Sequence, residues 1–271
     1  MAMEFLPTFA KNWYYSYCEY LQQSDPRVKN WPLMESLTPT LIISCLYLLV
    51  VYVGPKIMRS REALNLNRIM IIYNFCIVLL SFHMFRKVLM CAILANYSWT
   101  KCQSVVFSKD PNEFKMAEIL WLYYFSKIIE LLDTIFFILR KKESQITFLH
   151  VYHHASMMIL WWLNVKWGAG GQAFFGPLCN SLIHVFMYLY YGLSALGPKY
   201  RKYTWWKKYM TTMQLTQFVI VIIHTILGLV YVGDCSYPTW MKWLLFFYMN
   251  SLLVLFMNFY RKAYQKKPKQ Q

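Results

Sequence analysis

Charge is scarce in this chain, and negative charge scarcer still: Asp, Glu, Lys and Arg make up 15% of 271 residues, with 12 acids against 28 bases. Beside 58% hydrophobic and 19% aromatic content, that scarcity excludes a soluble domain of ordinary composition. The stretch from Met1 to Trp31 lacks the compact apolar core of a secretory signal, so the first membrane span must itself serve for targeting. No tandem repeat, low-complexity tract or Pro/Gly linker divides the chain, and it reads as one integral membrane domain over 1–271. A Gly-rich dinucleotide fingerprint is also lacking; Gly168 to Gly171 has the wrong spacing for a phosphate cradle and reads as a turn.

What is present is a series of apolar stretches, each near the roughly 20 residues a helix needs to cross a bilayer. They fall at 37–55, 69–92, 116–139, 147–164, 172–193, 210–232 and 240–260, which predicts an all-α integral membrane protein of seven spans. Arg86 and Lys87 interrupt the second stretch; either they face a polar interior or the helix leaves the bilayer there.

The net charge of +16 is distributed in alternate loops, which points to topology rather than to nucleic acid. Lys56, Arg59, Arg61 and Arg68 lie on one side with Arg140-Lys141-Lys142, the Lys199 to Lys208 cluster and the basic tail from Arg261 to Lys269. By the positive-inside rule this side is cytosolic, which places segment 1–36 in the lumen and tail 261–271 in the cytosol. Lys267-Pro-Lys269 then resembles a dilysine retrieval signal of the endoplasmic reticulum membrane. Anionic headgroups account for most of the loop charge. Arg140-Lys141-Lys142 stands out because a polyphosphate ligand arriving from the cytosol would meet it just before a histidine cluster.

Of seven cysteines, Cys45, Cys76, Cys91 and Cys179 fall in spans and read as small apolar packing groups, with Cys18 left over. Cys102 and Cys235 fall in loops on the non-cytosolic side, where oxidation is permitted, and are predicted to pair. Asn96-Tyr-Ser98 is a glycosylation sequon too close to a membrane boundary to be used.

The chemistry concentrates in four polar patterns inside the spans. Lys127, Glu130, Asp133 and Thr134 recur at i, i+3, i+6 and i+7, one stripe of a helix that reads either as a buried ion pair or as the wall of a polar cavity. His150, His153 and His154, at i, i+3 and i+4, face a common volume. Asn180 and His184 follow one turn apart, with Met187-Tyr188 and Tyr190-Tyr191 beyond. Thr211, Gln214 and Gln217 make a polar edge near the cytosolic mouth, where helix-to-helix hydrogen bonding is the competing role.

In that order, across nearly the whole chain, these four patterns resemble the very-long-chain fatty acid elongases, most of all the branch acting on long and very long acyl chains. The resemblance implies a seven-helix protein of the endoplasmic reticulum, six helices enclosing a narrow acyl tunnel open to the cytosol. It implies condensation of acyl-CoA with malonyl-CoA to 3-oxoacyl-CoA, carbon dioxide and CoA, without a cofactor or metal. By match to the family's box, His153 is the nucleophile that forms an acyl-imidazole. His150, His184 and Asn180 are candidate donors to the developing oxyanions, His154 orients the nucleophile, and Glu130 or Asp133 gives support. Lys127, Arg140, Lys142 and Lys207 are nominated for the CoA phosphates, with Gln145, Tyr190, Thr211 and Gln214 lining the mouth. A 3-ketoacyl-CoA reductase, a dehydratase and an enoyl-CoA reductase are implied as pathway partners, and a homodimer is plausible for the family.

Two other classes compete. A membrane di-iron desaturase or hydroxylase also carries His-x-x-His-His boxes, but such a centre needs about eight or more histidines. This chain has six. A seven-helix lipid transporter is compatible with the spans, but the inverted repeats and broken helices common in transporters are not apparent.

Overall fold

The computed structural model describes residues 23–108 and 110–264, together with 7–8, 11–12, 15–16 and 19–20. Cys18 and the Lys267-Pro-Lys269 pattern lie outside the described residues.

Eight α-helices are bounded among the described residues: α1 (Thr38–Met58), α2 (Asn67–Leu94), α3 (Pro111–Ile129), α4 (Leu132–Leu139), α5 (Phe148–Gly168), α6 (Phe175–Ala195), α7 (Lys207–Val230) and α8 (Thr239–Tyr264). The helix starts follow local chemistry. Asp110 caps α3 by accepting from the backbone N–H groups of Asn112 and Glu113 at 2.8 and 3.2 Å, with Pro111 in the first turn. Thr147 caps α5 by accepting from His150 N–H at 3.3 Å. The histidine cluster thus lies within the first two turns of its helix.

Five helices are long and apolar enough to cross a membrane: α1, α2, α7, α8, and α6 together with the short turn before it. Their outward faces are apolar, with Ile42, Leu46, Leu79, Phe82 and Val254 all more than half exposed. Lys127, Glu130, Thr134 and His184 are buried. Apolar outside and polar inside is the inversion expected of a multi-pass membrane protein. The stretches around α3 and α5 fall outside the five because α3 carries Glu113, Lys115, Glu118 and Lys127, and α5 the three histidines, which lower their hydropathy.

The expected third span, 116–139, is two helices. Past Ser126, backbone bonding shifts from i−4 to i−3: Leu131 N–H donates to Ile128 O, Asp133 N–H to Glu130 O and Thr134 N–H to Leu131 O, each at 3.2 Å. This tightened turn at Glu130-Leu131 changes the direction of the polar stripe. The second stretch, by contrast, runs unbroken as α2, with Arg86 on its exposed outer side rather than in a polar interior. Cys45 and Cys76 are also exposed, so they are not core packing groups; Cys91 is buried and Cys179 partly so. α8 continues through Arg261 and Lys262 to Tyr264, so the first residues of the basic tail are helical.

Helix pairs close a ring in the order α5, α3, α2, α6, α7, α8 and back to α5, while α1 packs outside it against α4 and α5. Gly54 permits that contact, since a Cβ there would lie 2.9 Å from Ile138 Cγ2.

One end of the ring is sealed by loops. Cys102 and Cys235 are bonded, as expected, joining the loop after α2 to the loop after α7. Segment 25–34 is part of the seal. Arg27 pairs with Asp25 and donates to Glu113 O at 3.0 Å and Ala169 O at 2.7 Å. Tyr97 donates to Glu113 at 2.6 Å, and Lys166 donates to Met34 O at 2.8 Å. Gly171, the turn glycine, has φ +51° and lies so close to Ser104 O that a Cβ would stand 2.7 Å from it.

Candidate active site

A cavity of about 560 Å³ opens at the opposite end of the ring and reaches into it from α2, α4, α5, α6, α7 and α8. Its walls include His150, His153, His154, Asn180, His184, Glu130 and Asp133, and its outer part includes Arg140, Lys142, Gln145, Tyr190, Lys207, Thr211 and Gln214. Lys142, Gln145 and Lys207 are solvent-exposed, so they mark the mouth.

The three histidines of α5 share the face that their spacing requires. Ring centroids of His150 and His154 lie 4.3 Å apart, and those of His153 and His154 5.3 Å apart, nearly perpendicular. His150 Nε2 is held 2.7 Å from Thr134 Oγ1, which also meets the Tyr47 hydroxyl at 3.1 Å. Across the cavity, His184 Nδ1 stands 3.5 Å from Glu130 Oε1.

Beyond Glu130 the stripe divides among different neighbours. Lys127 donates to Glu130 at 2.7 Å and reaches Asn180 Oδ1 at 3.4 Å, and that same oxygen accepts from the Tyr123 hydroxyl at 2.6 Å. Asp133 accepts from the Tyr188 hydroxyl at 2.6 Å. Thr134 turns to α1 and α5 because the tightened turn precedes it.

This arrangement separates the expected site residues. Lys127 does not line the cavity: its side chain is 2% exposed and tied to Glu130. Its assignment to the CoA phosphates is therefore corrected; it sits in a buried ion pair. Every other expected catalytic or binding residue lines the one cavity. Thr211 and Gln214 also engage neighbours, Thr211 at 3.3 Å from the Tyr264 hydroxyl and Gln214 at 3.5 Å from Met187 Sδ. Thr211 and Gln214 thus line the cavity and contact neighbouring helices at once.

A family model described as GNS1/SUR4 matches residues 32–271. The chain belongs to the GNS1/SUR4 family. Among its relatives, very long chain fatty acid elongase 4 of Macaca mulatta is 54% identical over 248 residues, covering 91% of this chain and 78% of the relative. The protein of the same name in Homo sapiens is also 54% identical, with the same coverage. Very long chain fatty acid elongase 2 of Mus musculus is 47% identical over 244 residues, covering 90% of this chain and 82% of the relative.

Several residues that build this GNS1/SUR4 site lie outside the four patterns. Tyr73 and Asn74 of α2 line the cavity, with Tyr73 edge-on to Phe136 at 5.1 Å. Tyr47 of α1 and Tyr123 of α3 hold Thr134 and Asn180 from behind. For the three tyrosines the available signal was a hydroxyl in an apolar span, too common among 22 tyrosines to single them out.

Proposed function

We propose that this cavity carries out the condensation through an acyl-enzyme intermediate on His153. The chain is an enzyme of fatty acid elongation, an acyltransferase of the 3-ketoacyl-CoA synthase type. An imidazole nitrogen of His153 attacks the acyl-CoA thioester and CoA leaves as its thiolate. Malonyl-CoA then enters and loses carbon dioxide, and its enolate carbon attacks the acyl-imidazole carbonyl. The new carbon–carbon bond forms as the carbon–nitrogen bond breaks, which releases 3-oxoacyl-CoA and free imidazole.

The observation that carries this reading is the meeting of two chemistries in one cavity. His153 and His184 line its interior, and Arg140, Lys142 and Lys207 line the same cavity toward solvent. Anion recognition at the mouth orients a thioester toward the histidines. His150 and His184 are the donors to the developing oxyanions, with His154 beside the nucleophile. Asn180 serves through its amide nitrogen, since its oxygen is taken by Tyr123 and Lys127.

The rest of the reading follows. The whole chain is one elongase domain of seven spans, with α3 and α4 together forming the third, and the ring of α2, α3, α5, α6, α7 and α8 encloses an acyl tunnel. The mouth faces the cytosol, the disulfide end and N-terminus face the lumen, and the membrane is that of the endoplasmic reticulum. Acyl-CoA and malonyl-CoA are substrates, no cofactor takes part, and reductase and dehydratase partners consume the 3-oxo product. A homodimer is compatible with the exposed apolar faces.

Intact-protein mass spectrometry tests the intermediate. Wild-type protein given a long-chain acyl-CoA gains one acyl mass, malonyl-CoA removes it, and His153→Ala gains none. Product formation by wild type without any adduct would sink the covalent route.

A further inference from the structure

Lys242 stands in the first turn of α8, only 6% exposed, and no carboxylate among the described residues pairs with it. Its ammonium has two acceptors, Gly228 O at 3.1 Å and Cys102 Sγ at 3.6 Å. Gly228 lies in the last turn of α7, where carbonyls lack intrahelical partners, so the first contact closes that helix end. The second contact has no such role, because a disulfide sulfur is a weak and neutral acceptor. A buried ammonium among neutral groups is costly, and the counter-ion within its reach is a thiolate on Cys102. The two sulfurs of the Cys102–Cys235 bond also differ in access. Cys102 is buried, whereas Cys235 is partly exposed between the exposed Asp234 and Ser236.

We propose that this disulfide is a thiol-exchange site with a fixed direction: a small peptide thiol of the glutathione class is added to Cys235, and Cys102 leaves as the thiolate paired with Lys242. The thiolate of the incoming molecule attacks Cys235 Sγ. A new sulfur–sulfur bond forms there as the Cys102–Cys235 bond breaks, and the electron pair goes to Cys102 Sγ. One thiol is consumed and one released, so no further oxidant or reductant is needed. Attack on Cys102 has a buried target and expels a Cys235 thiolate that no cation contacts among the described residues. Opening the bond leaves the loops together, since Ser236 donates from its N–H to Ser104 Oγ at 3.1 Å and from its hydroxyl to Val105 O at 3.3 Å. The Cys102 thiolate stays beside Cys235 and can expel the added thiol again, which makes the modification reversible.

The test exposes full-length protein in detergent micelles to excess glutathione, quenches with acid at short times, alkylates free thiols with N-ethylmaleimide in denaturant, and locates both groups by peptide mass spectrometry. Glutathione on Cys235 with maleimide on Cys102 is expected to exceed the reverse pattern about tenfold, because the better-stabilised thiolate leaves faster. In Lys242→Met the appearance of the Cys235 adduct slows about tenfold and the preference shrinks. Wild type unfolded in urea before the exchange, where Lys242 is no longer held at Cys102, shows the two patterns about equally. This comparison needs no variant, so it decides the matter should Lys242→Met fail to fold. An even or reversed pattern in folded wild type overturns the proposal, and so does the absence of any adduct. The same preference in unfolded protein, or an unchanged rate in folded Lys242→Met, overturns the role of the lysine and with it the proposal.

Discussion

Thr134 Oγ1 stands 2.7 Å from Nε2 of His150, and this contact joins the end of the polar stripe to the start of the histidine cluster. Tyr47 holds the same hydroxyl from α1. One ring nitrogen of His150 is thereby committed, which fixes the ring's orientation toward the cavity. Thr134→Val keeps the shape and removes both bonds. We expect kcat to fall about tenfold, with the KM for acyl-CoA little changed, because one oriented donor is worth about that much. Thr134→Ser restores it. Full activity in Thr134→Val with a loss in Thr134→Ser would mean that the threonine methyl, not its hydroxyl, matters.

The Lys127–Glu130 pair leads to a stability prediction. Both side chains are at most 2% exposed, and breaking such a pair leaves one charge without its partner. Lys127→Met should destabilise by about 3–5 kcal/mol, and adding Glu130→Gln should recover most of the loss. Thermal unfolding of the single and double variants in detergent decides it. If the double variant is no more stable than the single, His184 rather than Lys127 is the group that Glu130 requires.

The same pair shows where the sequence was legible. A stripe at i, i+3, i+6 and i+7 singled out Lys127, Glu130, Asp133 and Thr134, since 3.6-residue periodicity puts them on one face, and of these Glu130 and Asp133 line the cavity. It could not reveal that the helix tightens at Glu130-Leu131, because nothing in Glu-Leu-Leu-Asp breaks a helix by propensity. That turn sends Thr134 toward His150 while Lys127 stays behind the wall, so the lysine was misplaced at the mouth. Five helices long and apolar enough to cross a membrane were legible from long apolar runs, and the Cys102–Cys235 pairing from loop alternation. The Asp25, Arg27, Tyr97 and Glu113 network was not, because its members are up to 88 positions apart and carry no local pattern.

At the mouth, Arg140, Lys142 and Lys207 line the cavity from two different segments. Charge neutralisation of any one, such as Arg140→Gln, should raise the KM for acyl-CoA about tenfold, the scale of one charge-assisted contact. It should also flatten the dependence of KM on salt, since exposed ionic contacts are screened over about 10 Å at 0.1 M. Steady-state kinetics at two salt concentrations checks both. An unchanged KM with a lower kcat would place Arg140 in the chemistry rather than in binding.

The disulfide lies at the other end, away from the histidines, and closes a loop of 133 positions. A crosslink of this kind typically contributes about 2–4 kcal/mol, so Cys235→Ser should unfold at lower temperature than wild type. The loss is expected to be incomplete. Ser236 N–H donates to Ser104 Oγ at 3.1 Å, and Gln172 bonds the backbone of Gln103 on both sides, so the loop after α2 stays attached to its neighbours. Reductant should lower the melting temperature of wild type but not of Cys235→Ser, while the condensation rate of molecules that stay folded is unaffected, because no cavity-lining histidine contacts either cysteine. A reductant-sensitive rate in wild type below its melting range would show instead that the sealed end communicates with the site, with the α8 segment from Tyr237 to Met249 as the path between them.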